Sequence, residues 1–159
     1  MFIYLDTCAA LKLFKEEVES EALDAWLDEQ ADARLITSYL TRTELRRALL
    51  AVGARPETMS GADKWLSRVA HLRMPAEVFD TAGGLAPGSR LRSLDALHVA
   101  SALGLGSALS YFVTYDRRLV EAAQAAGITV TAPGSRPDTT ERGRPPGHPR
   151  SDRSGPTRF

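Results

Sequence analysis

Cysteine is almost absent from this chain of 159 residues: Cys8 stands alone, which excludes an intrachain disulfide and any metal site built on paired thiolates. Net charge is absent too. The 20 Lys and Arg balance 20 Asp and Glu, so no global field advertises a nucleic-acid or membrane partner. No apolar run nears the ~18 residues of a membrane span, and no basic-then-apolar leader opens the chain. These absences predict a soluble, cytoplasmic protein. Glycine is missing from Asp6-Thr7-Cys8-Ala9-Ala10, directly after the first apolar run, which excludes a Gly-x-Gly-x-x-Gly dinucleotide turn there. Lysine occurs only at positions 12, 15 and 64, none of them after a late strand as a phosphorylatable receiver domain requires. A phosphoaspartate phosphatase needs a second Asp two positions after its first, and Cys8 occupies that position.

What is present is an apolar content of 43%, enough for one core. Residues 1–132 form the expected domain, and they carry 14 basic against 17 acidic residues. Residues 133–159 hold six of the nine prolines, four Gly, six Arg and three acids, with Phe159 as the one large apolar residue. Such a composition buries too little to offset ordering entropy and predicts a disordered tail. Within the domain, Phe2-Ile3-Tyr4-Leu5 reads as a short buried strand followed by a helix from about Ala9. Val18, Leu23, Trp26 and Leu27 recur near a helical period, and Leu35-Ile36-Thr37 reads as a second strand. Thr37 or Ser38 caps a helix through Val52, and a further helix spans about Ser60–Val69. His71 to Pro75 reads as an edge strand and Ala76–Leu85 as a helix weakened by Gly83-Gly84. Ser93 caps a helix to about Leu103, Ser110–Thr114 is a strand, Asp116 opens a helix ending at Gly127, and Ile128–Thr131 is the last strand. Strands alternating with helices predict a parallel sheet covered on both faces.

Four acids stand where chemistry would need them. Asp6 arrives where the first apolar run stops, at the rim where parallel α/β sheets bind ligands; capping the next helix would account for it equally well. Glu44 shares a helical stripe with Leu40 and Ala48 beside the core positions Leu45 and Leu49, where an uncompensated carboxylate is costly; an ion pair with Arg47 or a neighbouring turn is the plainer account. Asp95 suits the helix dipole in a first turn, yet its stripe continues through His98, Val99 and Ala102 on the packed side. His98 reads either as a ligand or as a hydrogen-bonded core residue. Asp116 repeats the situation of Asp6 after a later strand, with capping again the plain alternative. Were all four to meet, their repulsion would force protonation or call for a divalent cation of hard oxygen preference.

The segments YLDT, TRTELRRAL, SLDALHVASAL and VTYDRRLVEAA, in that order and spacing, resemble the PIN-domain ribonucleases, and among them the VapC-type toxins of bacterial type II toxin–antitoxin pairs. The resemblance covers residues 1–132. It implies a three-layer α/β/α sandwich around a parallel sheet of about five strands, and cleavage of RNA assisted by Mg²⁺ or Mn²⁺. It assigns Asp6, Glu44, Asp95 and Asp116 to the metal-binding catalytic quartet, with Thr7 and Thr114 as hydroxyls beside it. It implies an antitoxin protein as partner, in a homodimer or a toxin–antitoxin hetero-oligomer. Leu11, Phe14, Trp26 and Leu27 offer an apolar complement larger than a small domain easily buries. Loss of one acid would favour a catalytically silent binding module, and none is missing. Arg42, Arg46, Arg92 and Arg117 lie beside three of the four acids and are candidates for holding the RNA backbone, although each alone also reads as a solvated charge.

Overall fold

The opening apolar run becomes β1 (Phe2–Leu5) and takes the middle of a five-stranded sheet in the computed structural model, which describes residues 1–87 and 90–135. Helices α1 (Thr7–Leu11) and α2 (Ser20–Glu29) lead to β2 (Arg34–Ser38). Helices α3 (Tyr39–Ala51) and α4 (Pro56–Arg68) lead to β3 (Ala70–Leu72). Then α5 (Ala76–Gly84), α6 (Ser93–Leu103) and a short 3₁₀ turn precede β4 (Leu109–Val113), and α7 (Arg117–Ala125) precedes β5 (Val130–Thr131). The strand order is β3-β2-β1-β4-β5 and every pairing is parallel, as helical crossovers require. The chain first winds outward from β1 through β2 to β3, then returns to the other side of β1 for β4. The carboxyl ends of β1 and β4 therefore flank the point where the winding reverses, the usual ligand crevice of such sheets.

Alternation along β1 decides which helices cover which face. Tyr4, with Ile36 and Phe112, packs on Val99 and Ala102 of α6 and Leu119, Ala122 and Ala123 of α7. Ile3 and Leu5, with Val113, pack on Ala9 of α1 and Leu23 of α2. A third cluster joins Ala10 to Leu45 and Leu49 of α3 and to Ala62 and Leu66 of α4. Ile3, Tyr4 and Leu5 are all fully buried, each worth about 1.5–3 kcal/mol for a side chain of this size. Helices on both faces make a three-layer α/β/α sandwich. Among the described residues no helix is long and apolar enough to cross a membrane.

Several expectations shift. Helix α4 begins at Pro56, earlier than Ser60, because the fixed φ of proline suits the first helical position. Arg92, not Ser93, occupies the cap position of α6, and it makes no side-chain cap. Val18 is 94% exposed and lies ahead of α2, so the inward stripe is Leu23, Trp26 and Leu27. The last strand keeps only Val130 and Thr131. Leu11, Phe14, Trp26 and Leu27 are partly buried, packed against the chain's own clusters. The expected tail lies outside the described residues beyond Ser135. Its first residues are held: the Tyr115 hydroxyl donates to the Pro133 carbonyl (3.0 Å), and Gly134 (φ +81°) sits where a Cβ would come 2.6 Å from that of Ala22.

Candidate active site

Asp6 follows the last residue of β1 and is 3% exposed. Its Oδ1 accepts the Ala9 backbone N–H (2.7 Å), so it does cap α1, and its Oδ2 accepts the Thr114 hydroxyl (2.5 Å). Thr114, just past β4, also accepts the Asp116 backbone N–H (3.1 Å). One threonine therefore ties together the two strand ends on either side of the crevice. Asp116 caps α7 through the Arg118 N–H (2.8 Å), and the Arg118 guanidinium lies 3.4 Å from its other oxygen. The capping accounts of both aspartates are thus correct, and they position these acids rather than exclude a further role.

Glu44 comes in from α3. Its Oε2 accepts the Thr7 hydroxyl (2.5 Å) and lies 2.8 Å from His98 Nε2. His98, on α6, is buried, and its Nδ1 is 2.8 Å from the Tyr4 hydroxyl. Below, Thr37 donates to the Leu5 carbonyl (2.8 Å) and meets Thr41 (2.6 Å), which satisfies two more buried hydroxyls between β2 and α3. His98 is thus a hydrogen-bonded core residue on the wall of the site, and Arg47 is not Glu44's partner as the plain reading had it. The Tyr4–His98–Glu44 chain went unseen in the sequence. Tyr4 reads there as one more apolar strand residue, and only the rule that a buried tyrosine hydroxyl needs a partner could have flagged it.

Asp95 enters from the first turn of α6, and its Oδ2 is buried without a hydrogen-bond partner. All four acids, with Thr7, Cys8, Leu11, His98 and Leu119, line one cavity of about 200 Å³. A larger groove of about 590 Å³ runs between Leu13, Phe14 and α2, but its acids, Glu16, Glu21, Asp24 and Asp28, are surface charges with no buried orphan oxygen. The four site acids divide into two kinds. Burial pushes Asp6 up to about 6 despite its hydrogen bonds, and Asp116 adds to the rise. Burial, then Asp116, also raises Asp95. Burial opposes ionisation of Glu44 as well, but the hydrogen bonds from His98 and Thr7 outweigh it and hold Glu44 low. In Asp116 burial is likewise outweighed by the Arg118 hydrogen bonds, and the group is lowered. Among the described residues no three His, Cys, Asp or Glu groups are gathered closely enough to form a ready-made ligand set. The Cys8 thiol is pushed up to about 12 by burial and by Asp6, which leaves it inert as a nucleophile.

The arginines stand differently from the acids. Arg42 donates to the Leu66 carbonyl (2.9 Å) and Arg46 pairs with Asp63 (2.8 Å), so both fasten α3 to α4. Arg117 is exposed and pairs with Glu121 on its own helix (3.2 Å). Arg92 is exposed at the start of α6. None of the four lines the cavity; the guanidinium paired with one of the four site acids is that of Arg118, 3.4 Å from Asp116.

The family model of the PIN domain matches residues 3–125. Ribonuclease VapC35 of Mycobacterium tuberculosis is 46% identical over 134 residues, 83% of this chain and 97% of that protein. Ribonuclease VapC46 of the same organism is 40% identical over 131 residues, 82% of this chain and 97% of its own. Among solved structures, VapBC2 from Rickettsia felis, bound to a promoter DNA fragment, superposes with a TM-score of 0.66 at 16% identity, over 83% of this chain and 98% of that one. The toxin VapC20 of M. tuberculosis, which cleaves the sarcin-ricin loop, superposes at 0.64 and 17% identity, over 82% and 99%. With a family match across most of its domain and relatives near half identical along nearly their whole length, the chain belongs to the PIN-domain family.

Proposed function

We propose that this protein is the ribonuclease toxin of a toxin–antitoxin pair, a metal-dependent endoribonuclease that hydrolyses an RNA phosphodiester. The observation that carries the reading is the meeting of Asp6, Glu44, Asp95 and Asp116, from four separate elements, on one small cavity at the reversal of the sheet. Its resemblance to the VapC ribonucleases supports the substrate class. The residues fit a hard divalent cation. The donors are all carboxylate oxygens, one of them, Asp95 Oδ2, is buried with no partner, and burial and Asp116 oppose ionisation of Asp6 and Asp95 until a cation balances them. Asp6, Asp95 and Asp116 would hold Mg²⁺ or Mn²⁺, with small side-chain movements closing the ligand set. When bound, such an ion supplies Lewis acidity and lowers the pKa of its water. Glu44, kept ionised by Thr7 and His98, orients the attacking water and takes its proton. Asp6 and Thr114 keep the two strand ends in register, so the acids meet the phosphate from one side.

The test is cleavage of RNA by the purified chain with Mg²⁺ or Mn²⁺, and its arrest by EDTA. Attack by water on phosphorus with departure of the ribose 3′ oxygen gives 5′-phosphate and 3′-hydroxyl ends. Cleavage undiminished in excess chelator, or 2′,3′-cyclic phosphate ends, would overturn the mechanism. The partner is expected to be an antitoxin protein, a reading supported by the VapBC2 and FitAcB complexes among the structural neighbours. Co-expression of the adjacent reading frame should suppress toxicity and co-purify with this chain; an active enzyme harmless on overexpression would point to RNA processing instead.

A further inference from the structure

Tyr4, His98 and Glu44 form a continuous hydrogen-bonded chain that ends on the cavity. Two contacts meet at Glu44 Oε2, and a carboxylate only accepts, so the 2.8 Å contact is donated by His98 Nε2–H. In the Nε2–H tautomer Nδ1 is an acceptor, and the Tyr4 hydroxyl, 2.8 Å away, donates to it. Thr7 has a single hydroxyl hydrogen, and at 2.5 Å it goes to Glu44 rather than to Thr41 at 3.4 Å, while its oxygen lies 3.3 Å from His98 Nε2. Both donors therefore end on Oε2. Among the described residues no hydrogen bond ends on Oε1, the second oxygen of a residue that lines the cavity. His98 is 3% exposed and Tyr4 fully buried, so water cannot replace either link.

We propose that Tyr4 and His98 are positioning residues for Glu44: the tyrosine hydroxyl selects the Nε2–H tautomer of His98, and that N–H pins Oε2 so that Oε1 is presented to the metal or its water. This rests on the nuclease reading above and adds residues that the acidic quartet does not contain. The arrangement repeats the logic by which an outer hydrogen-bonding partner fixes a histidine tautomer, with the histidine here steering a carboxylate. Tyr4 can do this because its ring is fixed independently, stacked on Phe112 with centroids 5.1 Å apart and planes 7° from parallel.

The test uses the full chain labelled with ¹⁵N-histidine. His71, His98 and His148 are its only histidines, so His98→Leu assigns the signal. The metal-free protein should show His98 protonated at Nε2 and bare at Nδ1, and Tyr4→Phe, which keeps the stacked ring, should lose that bias. Mn²⁺ affinity and kcat for RNA should fall about 10- to 100-fold in His98→Leu, with KM for RNA nearly unchanged. His98→Gln, whose amide can still donate to Glu44, should recover most of both. An Nδ1–H tautomer in the wild type overturns the relay, as does unchanged Mn²⁺ affinity in both Tyr4→Phe and His98→Leu. Should His98→Leu fail to fold, Tyr4→Phe decides alone. The expected tautomer in a protein that cleaves no RNA overturns the nuclease reading and leaves the tautomer selection standing, whereas RNA cleavage with the opposite tautomer overturns the relay alone.

Discussion

Asp6→Asn should make the metal-free protein more stable while it abolishes activity. Asp6 is 3% exposed and its pKa is raised from 3.8 to about 6, with burial as the main cause. The folded pKa exceeds the unfolded one, so this group's favourable contribution is complete below about pH 4, falls as pH rises through 6, and is absent at neutral pH. A rise of roughly two units at ~1.4 kcal/mol each makes the ionised side chain cost about 3 kcal/mol at pH 7. Asparagine removes that cost and can still accept the Ala9 N–H at the cap, where Asn serves as well as Asp. Its amide cannot accept from Thr114, which must turn its hydroxyl away, at about 0.5–1.5 kcal/mol. The net gain is about 1.5–2.5 kcal/mol, or a melting temperature higher by about 3–10 °C for a domain of this size. Thermal melts in EDTA at pH 7.5 and pH 4 measure it, and the gain should vanish at the lower pH. A loss at pH 7.5 comparable to a core truncation, about 2–5 kcal/mol, would refute the reasoning and leave Asp6 a structural cap. Asp116→Asn should behave oppositely, with a small loss of stability, because Arg118 already favours its ionised form.

Thr114→Val, isosteric at a fully buried position, deprives Asp6 Oδ2 of its donor; it should cost about 1–2 kcal/mol and lower kcat, read by melting and by RNA cleavage. Lys12 is buried between Glu17 (2.6 Å) and Glu19 (2.8 Å), whose pKa values its hydrogen bonds lower. Their stabilisation is in place above the ordinary value of 4.5 and lost as pH falls through the lower folded values, so Lys12→Met should flatten the acid limb of a stability–pH curve. Gly134→Val should destabilise the domain, since φ is +81° and the new Cβ would meet Ala22; hydrogen exchange at α2 reports it. Truncation after Ser135 removes six Arg and three acids and should weaken RNA binding and flatten its salt dependence without moving the melting temperature; equal affinity at low salt would refute the electrostatic role.

The sheet was legible because its strands are short apolar runs ending in polar residues, and the helices because their stripes are periodic. Strand order was not, since Ile3, Leu35 and Phe112 carry no signal of which neighbour they pair with; the resemblance supplied the architecture. Proline both stops one helix and suits the first turn of the next, which hides the start of α4 at Pro56, and Val18 lies outside α2 because residues near a helical period do not say where the helix begins. The candidate acids were found because each interrupts an apolar pattern. The arginines stand off the cavity because proximity in sequence to an acid says nothing about direction. Arg42 and Arg46 lie two residues either side of Glu44, which on a helix turns them toward α4 instead of the cavity.

The division of the four acids into two kinds also explains how the metal-free fold tolerates them. A quartet of equal, ionised carboxylates would cost more than a domain of this size can offset. Here Glu44 and Asp116 are each given their own donors, Thr7 with His98 and Arg118 with its backbone, and remain ionised at little cost. The residual strain is concentrated on Asp6 and Asp95, the two that burial and Asp116 raise. Those two come from the carboxyl end of β1 and the first turn of α6, elements whose buried faces share the core around Tyr4 and Val99. A cation arriving between them would relieve repulsion that the core otherwise has to withstand. Metal binding should therefore stabilise the fold most near neutral pH, where Asp6 is ionised, and little below pH 4, where it has taken up its proton.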